Sequence, residues 1–121
     1  MASSFGALKH TSINIQSQGD LLSLPPSTAL QFYRICQETA LYIITHSNAN
    51  QLDIRLTASQ QEVQLTIKHN GGTLAERLQP TNEAKLIDYR LKMINGSRTS
   101  EPMGGGAESF LFHAPLAGVP V

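Results

Sequence analysis

A two-layer α+β sandwich, with helices over one face of a mixed, mostly antiparallel sheet, is predicted by three features of this chain. Two alternating segments, residues 52–57 and 63–67, flank a short polar turn. Helical patterns lie before and after them, and two further strand-like segments close the sequence. Alternation with one apolar face belongs to strands whose other face meets solvent. Helices on either side of such a hairpin bury themselves by covering its apolar face.

The elements follow in order. Residues 12–16 alternate, with Ile13 and Ile15 on one face, and form a short strand. Gly19-Asp20 and Pro25-Pro26 bracket a loop, and Ser27 is expected to cap a helix over 27–47, the prolines suiting a helix entry. Leu30, Tyr33, Leu41 and Ile44 recur at helical spacing, with Cys36 and Ala40 in the same broad stripe, and Asn48, Ala49 and Asn50 close the helix. In the hairpin, Leu52, Ile54 and Leu56 point one way and Asp53, Arg55 and Thr57 the other. Val63, Leu65 and Ile67 repeat the pattern across Ser59-Gln60-Gln61. Asn70-Gly71-Gly72 ends the second strand, and Pro80 lies in the linker beyond. A second helix fits 82–94, with Leu86, Tyr89, Leu91, Met93 and Ile94 as its apolar surface and Asn95-Gly96 as its stop. Residues 97–101 form a strand, Gly104-Gly105-Gly106 a turn and 107–113 the last strand. The tail from Ala114 is expected to be loose.

The totals narrow the function. A length of 121 residues is one domain, 1–121, and 40% apolar content is enough for a packed interior. Nine basic residues balance nine acidic ones without any block of like charge, so neither nucleic acid nor a membrane surface is an expected partner. The apolar stretches fall far short of the roughly 20 residues that span a bilayer. The start, Met1-Ala2-Ser3-Ser4, lacks the pattern of a signal peptide and suits a domain cut from a longer protein. Cys36 is the single cysteine, which excludes an internal disulfide and a cysteine zinc site, and a cytoplasmic domain is expected. His10, His46, His69 and His113 show no metal-ligand spacing, and no metal site is expected. No Gly-x-Ser-x-Gly elbow surrounds any serine.

Leu24-Pro25-Pro26, then Tyr33-Arg34-Ile35-Cys36-Gln37-Glu38, and later Thr45-His46, resemble the start of the ATP-binding domain of sensor histidine kinases. That domain belongs to the GHKL superfamily and has the Bergerat-type sandwich fold. The nearest branch is the nitrate-sensor type, whose response regulators carry helix-turn-helix outputs. The resemblance extends over residues 8–116, because the hairpin, Asn70-Gly71-Gly72, Asn95-Gly96, Gly104-Gly105-Gly106 and Pro115-Leu116 fall in the family's order.

The resemblance implies roles and also departures. Glu38 stands where the family has its catalytic glutamate. The family places a Mg²⁺-binding asparagine four residues later, one helical turn on, and Tyr42 occupies that position. A neutral phenol is a poor ligand for a small hard cation. The next family motif, Asp-x-Gly-x-Gly, reaches adenine through its aspartate and falls on His69-Asn70-Gly71-Gly72. A neutral imidazole lacks the carboxylate's charge, which costs about 1–3 kcal/mol of binding. The glycine-rich motif whose backbone amides hold phosphates falls on 81–86, where every glycine is missing and Glu83 adds negative charge. Gly105 and Gly106 match the last glycine pair. Tyr42, His46, His69, Asn70, Gly71, Gly72, Gly105 and Gly106 are thus expected to be the remnants of a nucleotide site.

Structural roles compete at each position. Glu38 also suits a hydrogen-bonding helix glutamate, His46 a helix C-terminus, Tyr42 a plug, His69 a strand end, and the three glycines an ordinary turn. None of the four histidines lies on a dimerising helix of the kind that carries the family's phosphoacceptor. The expected function is a degenerate ATP-binding-type domain of two-component signalling, binding ATP weakly or not at all. It would act on a kinase core or a response-regulator receiver, and no cofactor is expected. The alternative is a divergent but active catalytic domain, with ATP and Mg²⁺ bound, in which Asn70 takes the adenine contact and Glu38 the metal shell. Without its dimerising hairpin the domain is expected to be monomeric unless an exposed apolar patch intervenes.

Overall fold

The hairpin at the centre of the chain sets the register of the whole sheet. Strands β2 (Gln51–Ala58) and β3 (Glu62–His69) pair antiparallel with Leu56 opposite Leu65 and Ile54 opposite Ile67. Ser59 closes the turn, its hydroxyl accepting from the backbone N–H groups of Gln61 and Glu62 at 3.1 Å each. The computed structural model describes residues 11–116. His10 and the Met1-Ala2-Ser3-Ser4 start lie outside them. Before the hairpin come β1 (Ser12–Gly19), a 3₁₀ turn (Leu21–Ser23) and helix α1 (Pro26–His46). After it come a four-residue helix α2 (Ala75–Leu78), α3 (Asn82–Met93), β4 (Ser97–Gly104) and β5 (Ala107–Pro115).

The five strands lie in the order β1-β2-β3-β5-β4, and only the β1–β2 pair is parallel, as a crossover through α1 requires. Leu52, Ile54, Val63, Leu65, Ile67, Phe110, Phe112 and Ala114 point from one face into the core, where α1 contributes Phe32, Ile35 and Ile43 and α3 contributes Ile87 and Leu91. The other face carries polar side chains, among them Asp53, Arg55, Gln64 and Lys68. The expected α+β sandwich, with its mostly antiparallel sheet and helices on one side, is the observed architecture.

Four details differ from expectation. Helix α1 has Pro25 in the N-cap position, Pro26 in the first turn and no side-chain cap, so proline's fixed φ starts the helix rather than Ser27. Its buried residues are Thr28, Gln31, Phe32, Ile35, Thr39, Tyr42 and Ile43. Leu30, Tyr33 and Leu41 face outward at 50, 61 and 49% exposure. At 3.6 residues per turn that is nearly the opposite side of the helix. Apolar residues lie all around α1, so residue type alone leaves its rotation open. In α3, similarly, Leu91 and Ile94 are buried, whereas Leu86, Tyr89 and Met93 are exposed. Finally, Ala114 is not loose. It is fully buried opposite Val63, and the Leu116 N–H donates to the Gln61 carbonyl at 2.8 Å. The rest of that tail lies outside the described residues.

The stop of α3 matches expectation. Asn95 takes a left-handed φ of 57°, and the Gly96 N–H returns to the Leu91 carbonyl at 2.7 Å, the bonding of a Schellman cap.

Candidate functional site

Glu38 lies on the side of α1 that faces α3. Its carboxylate accepts two hydrogen bonds from Arg90 of α3, Nε to Oε1 at 3.2 Å and Nη2 to Oε2 at 3.1 Å. The third guanidinium nitrogen donates to the side-chain carbonyl of buried Gln31 at 3.2 Å. The fork of a guanidinium matches a carboxylate in this way, and here it clasps the two helices together. One turn beyond Glu38, Tyr42 is 6% exposed, and its ring lies 4.3 Å from that of His46, one turn further on. Glu38, Tyr42 and His46 therefore share a face, as their spacing of four implies.

The second group forms where β3 ends. His69 is 3% exposed and sits against Phe110, the two ring centres 5.8 Å apart. The Gly71 N–H donates to its Nδ1 at 2.9 Å, which leaves Nε2 to carry the proton and donate to Glu108 Oε1 at 2.8 Å. This assigns the tautomer from the hydrogen-bond network. Glu108 also accepts from the backbone N–H groups of Leu74 at 2.8 Å and Ala75 at 3.1 Å, at the start of α2. Both ring nitrogens of His69 are thereby engaged within the protein.

Its neighbours are tied in as well. Asn70 Oδ1 accepts from the backbone N–H groups of Asn50 and Gln51 at 2.9 and 3.2 Å, and Nδ2 donates to Asn50 Oδ1 at 2.6 Å. Gly71 permits a close approach, since a Cβ there would stand 2.4 Å from the Ser47 hydroxyl oxygen and 2.7 Å from its Cβ. The N–H of Gly72 donates to the Gly106 carbonyl at 2.8 Å. Gly105 and Gly106 are the two turn residues between β4 and β5, both at positive φ (62° and 83°), as a type I′ hairpin demands.

The structure thus gathers His69, Gly71, Gly72 and Gly106 at one end of the sheet and Glu38, Tyr42 and His46 along α1. Arg90, Gln31 and Glu108, which hold these residues, had no place in the sequence reading. Glu108 could have been found, because it shares the inward parity of Phe110 and Phe112 in β5 and is 2% exposed. Arg90 carried no comparable signal.

Each oxygen of Glu38 accepts one bond from Arg90, the Tyr42 phenol is buried, and both nitrogens of the His69 imidazole are engaged. Helix α3 begins with an ordinary cap, Thr81 Oγ1 accepting from the Ala84 N–H at 3.1 Å. Among the described residues no group of three His, Cys, Asp or Glu side chains could hold a metal ion. A cavity that touches His69 and Asn70 is about 190 Å³, below the roughly 300 Å³ at which small-molecule sites begin. A cavity of about 310 Å³ lies over the polar face of the sheet, between Asn14, Asp53, Arg55 and Lys68. Among the described residues no helix is long and apolar enough to cross a membrane.

No protein-family model matches the chain, and no curated protein matches its sequence. Solved structures do match its shape. A blue-light activated histidine kinase from Erythrobacter litoralis superposes with a TM-score of 0.69 at 14% identity, covering 96% of this chain and 39% of that one. The histidine kinase AdeS of Acinetobacter baumannii gives 0.69 at 12% identity, covering 96% and 60%. The catalytic domain of the histidine kinase ThkA gives 0.65 at 11% identity, covering 95% and 85%. The chain therefore spans well under two thirds of the first protein, under two thirds of the second and most of an isolated catalytic domain. At such identities shape is what is shared: this chain has the fold of a histidine-kinase catalytic domain.

Proposed function

We propose that this domain is a degenerate ATP-binding-type domain of two-component signalling, related to the nitrate-sensor branch of histidine kinases, and that it acts through protein contacts. A kinase core or the receiver of a response regulator is its partner. The observation that carries this reading is the Arg90 clasp, since the one retained catalytic-type carboxylate, Glu38, is spent on holding α1 to α3. The locked His69 and buried Tyr42 support it from two further sides of the same motif set. The branch rests on Arg34-Ile35-x-Gln37-Glu38.

Calorimetric titration with ADP and with a non-hydrolysable ATP analogue, each with Mg²⁺, tests the reading on a sample shown to be folded by circular dichroism. No heat up to millimolar nucleotide is the expected result. Micromolar, Mg²⁺-dependent binding refutes it and turns the chain into a candidate catalytic domain. Pull-down with isolated receiver domains and kinase cores then identifies the partner.

A further inference from the structure

Strand β1 is an edge of an unusual kind. Every one of its eight residues is exposed, and its sequence, Ser-Ile-Asn-Ile-Gln-Ser-Gln-Gly, contains no charge. Ile13 and Ile15 are in register with the core residues Leu52 and Ile54, so they continue the apolar face of the sheet. Among the described residues they are only partly covered, Ile13 being 38% and Ile15 69% exposed. The opposite edge, β4, is guarded. It carries Arg98, Glu101 and Pro102, and its register shifts between Pro102 and Gly104. Charge, proline and a bulge are the usual means of stopping strands from adding to an edge, and β1 has none of them.

The register defines which groups β1 offers. The Ser12 N–H donates to the Asn50 carbonyl of the chain entering β2, so Ser12, Asn14 and Gln16 bond inward. Neighbouring residues of a strand direct their backbone groups to opposite edges. The N–H and C=O groups of Ile13, Ile15 and Ser17 therefore point outward.

We propose that β1 pairs with β1 of a second copy of this chain, antiparallel, about a twofold axis at Asn14, to give one sheet of five strands from each copy. In this register Ile13 lies opposite the partner's Ile15, and Ile15 opposite the partner's Ile13. Both are hydrogen-bonded pairs, so the outward backbone groups are satisfied while four isoleucines meet on the core side. Moving the axis to Ile15 would set Ile13 against a serine and lose half of that contact. The absence of charge selects this occupant, because an uncharged strand meets its own copy without repulsion. The pairing is isologous and closes on itself, and the guarded β4 edges end the sheet. It is independent of whether nucleotide binds.

Sedimentation velocity of the full chain from micromolar to millimolar concentration tests the proposal. A monomer–dimer equilibrium is expected, weak because one strand pair buries less than a standard interface. Ile15→Lys weakens dimerisation at least about tenfold while leaving the circular dichroism unchanged, since charge is then placed against an apolar partner. Ile13→Lys combined with Ile15→Glu in the same chain restores the dimer, because opposite charges then face each other at both pairs flanking the axis. In a Cys36→Ser background, Asn14→Cys cross-links across the axis on mild oxidation, since the two positions form a non-hydrogen-bonded pair with close Cβ atoms. A wild-type chain that stays monomeric throughout overturns the proposal. So does a dimer that ignores Ile15→Lys and leaves Asn14→Cys uncross-linked.

Discussion

Replacing Glu38 with alanine removes the acceptor for a guanidinium that reaches it through two nitrogens, at 3.2 and 3.1 Å. A hydrogen bond to a charged group contributes about 1.5–3 kcal/mol net. Two bonds to one carboxylate do not add in full, and the side chains are 20 and 23% exposed, so water reaches both partners and screens the pair. A loss of about 1–2 kcal/mol is expected for Glu38→Ala, which lowers the Tm of a domain this size by about 4–8 °C. Arg90→Ala is expected to cost a similar amount, and more if Gln31 is left without its donor. The double variant separates pair from context: a coupling of about 1 kcal/mol between the two positions is expected. Urea unfolding of all four proteins supplies the cycle. Single variants within about 0.5 kcal/mol of wild type, together with strict additivity, would refute the clasp as a stabilising element. The same cycle bears on function. A carboxylate retained for catalysis trades stability for activity, so its removal leaves the fold as stable as before or more so. Loss of stability with partner binding intact is the outcome that the degenerate reading requires.

Three further outcomes are expected. Glu108→Ala strands the Leu74 and Ala75 N–H groups and the His69 Nε2–H in a buried site, and is expected to cost about 3–5 kcal/mol in urea unfolding. Thr39→Val is expected to raise stability by about 1 kcal/mol. The Thr39 hydroxyl is fully buried with no hydrogen-bond partner among the described residues, and the substitution removes it at nearly constant shape; thermal melts decide the sign. Burial pushes the Cys36 thiol above its ordinary value of 9.0, because the thiolate is poorly solvated there. The folded state then keeps its proton when the unfolded state has lost it. The corresponding stability is present below 9.0 and declines as pH rises above it. Native protein near pH 8 is accordingly expected to react far more slowly with a disulfide reagent than protein in urea.

The sheet was legible where chemistry alternated. In β2 and β3, Asp53 and Arg55 against Leu52 and Ile54 leave one choice of face, and register follows from it. The rotation of α1 was not legible, because Leu30, Tyr33 and Leu41 form a stripe as regular as Phe32, Ile35 and Ile43. Only the sheet beneath decides between them. The candidate site divided in the same way. Spacing placed Glu38, Tyr42 and His46 on one face of a helix, a property of local geometry. Its occupancy depended on Arg90, 52 residues away in sequence, which no local pattern announces. Glu108 stood between: an inward-facing charge in an apolar strand signals a buried partner without naming it.

The exposed β1 also bears on how the domain opens and closes. The β2–β3 hairpin pairs across a short turn, so its loop-closure cost is low. Strand β1 meets β2 in register only across the whole of α1, Ser12 against Gln51, and all eight of its residues stay exposed. A strand with that balance gains little until α1 has already docked, and it is the cheapest to release afterwards. Hydrogen exchange on the isolated chain is therefore expected to show a gradient, with β3 and β5 exchanging through global unfolding and β1 through a low-energy local opening. Sequence order and folding order then run in opposite senses, the first of the described strands being the last to settle.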